Sequence, residues 1–192
     1  MDPLEFLYHP MRILDHREME YRFCMQNIKF ETGLFLEFGV YSGKSINRLS
    51  KLKPNKIFHG FDTFTGLPEA WDMGHKIIDA GHFSLEKLPV VEKNVVLHKG
   101  LFENTIPVWQ KKYKEKISFM NIDCDLYSST KTVLDYLNPQ IVKDTIIRFD
   151  DLLPSPISPY PKWLEGEWKA LSEWVEKFNR EIVPISRSWK QG

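Results

Sequence analysis

At 192 residues, 42% hydrophobic and 14% aromatic, the chain can build one substantial core but not two comfortable domains, and its composition is not that of a disordered segment. Lys+Arg and Asp+Glu balance at 26 each, so no global field draws the protein toward nucleic acid or anionic lipid. No stretch approaches the roughly 18–20 apolar residues that span a membrane, and the mixed residues 1–11 are unlike a signal peptide.

Residues 1–32 are predicted as an N-terminal helical extension, because 16–30 alternate charged and apolar residues at helical spacing. Short apolar runs then recur, at 34–40, 56–62, 95–98, 117–123 and 145–149. Helix-compatible segments at 42–51, 103–116 and 128–137 separate most of them, and the basic run 111–116 is the solvated end of its helix. Strands apolar through most of their length are buried on both faces, as a parallel sheet requires. Such alternation predicts an α/β, Rossmann-like, doubly wound sheet with helices on both faces, in a single domain spanning 1–192. Residues 63–93 are long and irregular apart from a short possible helix, and suit a lid. Beyond Asp151 a Pro-rich loop, an apolar helix near 165–178 and one strand at 181–186 complete the chain, a shortened C-terminal strand region. Trp163, Trp168, Trp174 and Trp189 are expected mainly to pack. Cys24 and Cys124 lie outside any metal-ligand spacing, which points to buried thiols in the cytoplasm.

In such a sheet ligands bind beyond the carboxyl ends of the strands, and the informative residues lie there. Gly39 and Gly43 bracket a turn whose missing side chains admit a ligand to the backbone, with a helix amino end behind it; an ordinary turn is the alternative. Glu37, just before that turn, would repel a pyrophosphate and suits a ligand carrying an ammonium group. Asp62 ends the second strand, where a carboxylate can accept from both hydroxyls of a ribose, unless it is a turn cap. Gly100-Leu101-Phe102, after the third strand, offers backbone and apolar surface to an adenine or else serves as loop and core. Together the three features favour an adenosine ligand with a cationic tail. Asp123, Asp150 and Asp151 close the fourth and fifth strands, and carboxylates brought so close need a counter-charge, for which Mg²⁺ is suited. The competing reading has Asp150 and Asp151 capping the Pro-rich loop. Asp125 is either a helix cap or a cofactor contact.

The order of these motifs carries a resemblance. Glu37–Gly43 looks like the first motif of class I methyltransferases. Gly60-Phe61-Asp62-Thr63-Phe64-Thr65-Gly66-Leu67-Pro68 and Gly100-Leu101-Phe102-Glu103-Asn104-Thr105-Ile106-Pro107 are similar to segments of the macrocin O-methyltransferase (TylF-like) family. Asp123-Cys124-Asp125-Leu126-Tyr127-Ser128-Ser129-Thr130 resembles that family's Asp-x-Asp-Leu-Tyr-x-Ser-Thr signature, and Phe149-Asp150-Asp151 its paired acids. The resemblance implies an enzyme that uses S-adenosylmethionine, with Mg²⁺, to methylate a hydroxyl of a sugar or other small metabolite. It places the cofactor on Glu37, Gly39, Tyr41, Ser42, Gly43 and Ser45, on Asp62, Thr63 and Phe64, on Gly100, Leu101 and Phe102, and on Asp123. The metal falls to Asp123, Asp150 and Asp151. Besides Asp123, the catalytic candidates are His82, which the family's basic residue in the covering segment favours, and His75 in the same segment. The expected partner is the small-molecule acceptor, with no nucleic acid or membrane, and self-association left open. Three alternatives stand beside this: a metal-independent methyltransferase, a non-catalytic S-adenosylmethionine-binding protein, and an NAD-binding domain. Glu37 and the lack of a full Gly-x-Gly-x-x-Gly weigh against the last.

Overall fold

A computed structural model describes residues 2–154 and 159–188. In chain order they form α1 (Pro3–Leu7), β1 (Arg12–Leu14), α2 (Arg17–Asn27), β2 (Leu34–Phe38), α3 (Lys44–Leu52), β3 (Phe58–Asp62), β4 (Trp71–Asp72), β5 (Ile77–Ile78), β6 (Val95–Lys99), α4 (Phe102–Lys112), β7 (Ile117–Ile122), α5 (Tyr127–Leu137), β8 (Ile146–Phe149), a 3₁₀ turn (Trp163–Glu165), α6 (Glu167–Phe178) and β9 (Ser186–Ser188).

Five strands make the central sheet in the order β6-β3-β2-β7-β8, every pairing parallel. All residues of β2 and β7 are buried, so the two apolar runs at the middle of the sheet are covered on both faces. Leu34, Leu36, Phe38, Ile122 and Met120 join α4, α5 and α6 on one face through Ile106, Val133, Leu137, Leu171 and Trp174. On the other face Phe35, Phe58 and Phe119 meet α2 and α3 through Tyr21, Cys24, Ile46 and Leu49. From β2 the chain builds outward first to β3 and β6, then returns to add β7 and β8. Connections therefore leave the tips of β2 and β7 in opposite directions, which opens a crevice between them.

Two expectations differ from the structure. The C-terminal strand forms at Ser186–Ser188 rather than 181–186; Pro184, which has no N–H to donate, lies within the earlier stretch. It pairs in parallel with β1, apart from the central sheet. In 63–93 the described residues form no helix; β4 and β5 make a small antiparallel hairpin instead. This hairpin is tied to the segment after β8, where Trp71 Nε1 donates to the Tyr160 hydroxyl at 3.0 Å and both side chains are buried with Met73 and Leu126. Trp168 and Trp174 are buried and Trp163 stacks edge-on to Trp168, so these three pack as expected; Trp189 lies outside the described residues.

Candidate active site

A cavity of about 700 Å³ opens over the strand tips. Its floor is the turn after β2, where Gly39 (φ 88°), Tyr41 (φ 44°) and Gly43 (φ 78°) all take the left-handed conformation. Gly39 is obligatory: a Cβ there would lie 1.7 Å from the Asp123 carbonyl oxygen, because the turn packs directly on the tip of β7. Asp62 holds the turn in place. Its Oδ2 accepts the N–H groups of Val40 (2.8 Å) and Tyr41 (2.7 Å), and its Oδ1 that of Phe64 (2.7 Å). Gly100 N donates to the Asp62 carbonyl at 2.9 Å, which brings Leu101 and Phe102 to the far wall. The long segment supplies Gly66, Leu67, Pro68, Glu69 and Phe83 to the same cavity, and Phe83 packs edge-on to Tyr41 at 5.3 Å.

Beneath the floor runs a buried polar row. Register aligns Glu37, Asn121 and Arg148 across β2, β7 and β8. Ser45 Oγ donates to Glu37 Oε1 (2.7 Å) and Asn121 Nδ2 to Glu37 Oε2 (3.2 Å). Arg148 donates Nη1 to Asn121 Oδ1 (2.8 Å), Nε to Glu20 (2.9 Å) and Nη2 to Asp150 Oδ1 (2.7 Å). Arg17 closes the row by donating Nη2 to Asp150 Oδ2 at 2.7 Å. Burial pushes the Glu37 carboxyl up to about 7, against the pull of its two hydrogen bonds.

Acids crowd the crevice between β7 and β8. One oxygen each of Asp123, Asp125 and Asp151 lie within 4.8 Å of one another. Burial first, and the neighbouring carboxylates second, raise Asp123 and Asp151 well above the usual range and Asp125 to about 8. Asp150 differs. Burial works to raise it, but Arg148 and Arg17 overcome that and hold it below the ordinary carboxylate value.

A family model described as a methyltransferase domain matches residues 36–152, from inside β2 to just beyond β8. The chain belongs to the methyltransferase-domain family. Its fold is that of class I, S-adenosylmethionine-dependent methyltransferases. Among solved structures, a calicheamicin methyltransferase, CalS11, is 24% identical over 83% of this chain and 71% of that one, with a TM-score of 0.67. The apo form of CalS11, named as a TDP-rhamnose 3'-O-methyltransferase of calicheamicin biosynthesis, is 24% identical over 82% and 69%, TM-score 0.59. The O-methyltransferase NovP is 21% identical over 89% and 76%, TM-score 0.60. At these identities the three establish a shared fold. No curated protein matches.

In this methyltransferase the cavity wall includes Gly39, Tyr41, Ser42, Ser45, Asp62, Thr63, Leu101, Phe102 and Asp123 from the expected cofactor set. Glu37, Gly43, Phe64 and Gly100 do not line it. Glu37 is fully buried with its oxygens on Ser45 and Asn121, so it supports the turn from below; the sequence shows an acid before a glycine turn but not which way it faces. Phe64 is core, and Gly43 and Gly100 shape the backbone at the start of α3 and the end of β6. His75 sits at the hairpin tip and His82 packs on Phe83; both are exposed, and neither lines the cavity. Asp123 and Asp151 come together as expected, whereas Asp150 is drawn to the two arginines and Asp125 takes the place beside them. Sequence reasoning missed Arg17, Arg148 and Glu167. Arg148 did leave a signal, since a charge inside the apolar run 145–149 demands a buried partner.

Proposed function

We propose that this methyltransferase transfers the methyl group of S-adenosylmethionine to a hydroxyl of a sugar or other small metabolite, aided by Mg²⁺. The observation that carries the reading is that a glycine turn and two of the crevice acids, Asp123 and Asp125, line one cavity. The side-chain-free cradle at Gly39 fits a cofactor lying against backbone, and Asp62, on the same wall, is placed for a ribose. Its Oδ1 accepts only from Phe64 and keeps a free acceptor site for a ribose hydroxyl, since a carboxylate offers about four such sites and three are filled. Leu101 and Phe102 supply the apolar wall for a base. Ser45, with Glu37 behind it, would orient the amino-acid end.

The donor set of the crevice, all carboxylate oxygen, fits a hard dication, with Asp123 and Asp151 to hold it. Bound there, Mg²⁺ would acidify and orient the acceptor hydroxyl. The chain's own contribution is alignment: the transfer is an in-line displacement at a sulfonium methyl, so holding nucleophile and methyl in line supplies much of the acceleration. Phe83 and Tyr41 narrow the cavity on the side of the long segment, which we read as a lid that keeps water from the transfer. The CalS11 and NovP names support oxygen as the acceptor atom, and that of CalS11 supports a sugar. No described helix is long and apolar enough to cross a membrane. Free, buried Cys24 and Cys124 support a cytoplasmic setting.

The test is calorimetric titration with S-adenosylhomocysteine, followed by turnover on a panel of hydroxylated sugars with and without EDTA. Saturable binding and EDTA-sensitive methylation are expected. Absence of binding would overturn the cofactor reading, while turnover indifferent to EDTA would leave a metal-independent enzyme.

A further inference from the structure

The charges that line the cavity are sorted by side. Its only cations among the described residues, Arg17, Lys44 and Arg48, all stand on α2 and α3. Acids, Asp62, Asp123 and Asp125 among them, line it from the strand tips. Lys44 and Arg48 lie one helical turn apart on α3 and are both exposed. Neither forms an ion pair or a side-chain hydrogen bond among the described residues. Farther along the same stretch Lys51 pairs with Glu92 at 3.0 Å and Lys53 with Glu31. Acids therefore meet the cations that lie outside the cavity and not the two on α3 that line it.

α2 shows the same lack of partners. Arg17 donates Nη2 to Asp150, but its Nε is buried with no hydrogen-bond partner among the described residues. Tyr21, one turn along α2, also lines the cavity; it is fully buried and its hydroxyl is without a partner among the described residues. Burial raises the phenol, so it stays protonated and offers a donor. Buried donors left unmet are costly, and this pair calls for an oxygen acceptor. S-adenosylmethionine answers only part of the pattern. Its ammonium and sulfonium suit the acidic side, and its one carboxylate takes one cation, for which Lys44, beside Ser45 in the chain, is placed. Arg48 and the free edge of Arg17 remain. Guanidinium groups present forked N–H donors that match the oxygens of a phosphate or carboxylate.

We propose that the methyl acceptor is itself an oxyanion, a hydroxylated metabolite carrying a phosphate or carboxylate, and that Arg48, Arg17 and the Tyr21 hydroxyl hold that group. This rests on the methyltransferase reading and narrows its substrate class. The experiment is calorimetric titration of the full chain with glucose, glucose 6-phosphate and glucuronate, with and without saturating S-adenosylhomocysteine. With S-adenosylhomocysteine in place, at least one anionic probe should bind about tenfold or more tighter than glucose. That advantage should shrink as salt is raised. Arg48→Gln, a change at an exposed position that should not disturb folding, should cut the advantage to within about threefold. Arg17→Lys, which keeps a cation for Asp150, should reduce it as well. The proposal is overturned if neither anion outbinds glucose, failure of all three to bind included, or if both variants keep the full advantage. It is overturned too if S-adenosylhomocysteine abolishes anion binding, which would put the anion in the cofactor's own carboxylate pocket. An anion preference without any S-adenosylhomocysteine affinity would instead remove the cofactor reading and leave the oxyanion site standing.

Discussion

A single missing side chain lets two strand tips touch. At Gly39 both the left-handed backbone and the 1.7 Å approach of a hypothetical Cβ to the Asp123 carbonyl forbid any other residue without movement of β2 against β7. Gly39→Ala should therefore cost about 3 kcal/mol or more in urea unfolding, well above the ordinary effect of a surface substitution; a change near zero would show that the tips are not in contact. Asp62 acts on the same turn from outside. Its loss would orphan the N–H groups of Val40, Tyr41 and Phe64, so Asp62→Ala should weaken S-adenosylhomocysteine binding about tenfold through both the lost diol acceptor and a loosened turn. Unchanged calorimetric affinity would refute that assignment.

Elements are joined beneath the site by polar groups rather than by packing alone. The row Glu37, Asn121, Arg148 ties β2, β7 and β8 together one residue from each strand, and α2 adds Glu20 and Arg17. Removing the guanidinium leaves Glu20 buried without its charged partner, and Asn121 and Asp150 each short of a donor. Arg148→Met is accordingly expected to cost about 3–5 kcal/mol, the usual consequence of breaking a buried ion pair from one side. A loss below about 1 kcal/mol in chemical denaturation would mean that water replaces the arginine. α6 is joined to the sheet in another way, through Trp174 and Leu171 on the apolar face and through Glu167, whose carboxylate reaches the backbone of Asp151.

For the molecule as a whole, acid stability contains opposed contributions. His59 on β3 and His98 on β6 share a hydrogen bond of 3.0 Å against Trp109 and Tyr113. Burial, aided by His98 and Lys112, lowers His59 to about 4, below its unfolded value of about 6.5. The unfolded chain then binds the extra proton between those values, so this stabilisation is complete above about 6.5 and lost as pH falls toward 4. Glu37, raised to about 7, works in the opposite sense: its contribution is full below the usual carboxylate value and lost as pH rises through 7. His59→Phe should consequently lose less stability than wild type between pH 6.5 and 4, measured as urea midpoints; parallel curves would exclude the histidine pair as the source.

Much of this architecture is legible in the chain itself. Apolar runs long enough to be covered on both faces dictate buried parallel strands, and the residues just past them, Gly39, Asp62, Leu101 and Asp123, had to lie at one end of the sheet because every strand points the same way. Side-chain direction is another matter. Whether Glu37 faces a ligand or the neighbouring strand depends on Asn121, 84 residues away. Which acids remain available in the crevice depends on Arg17 and Arg148, each able to neutralise only what folding sets beside it. Local periodicity records burial, but a charge chooses its partner by distance, and that distance exists only once the strands have been brought into register.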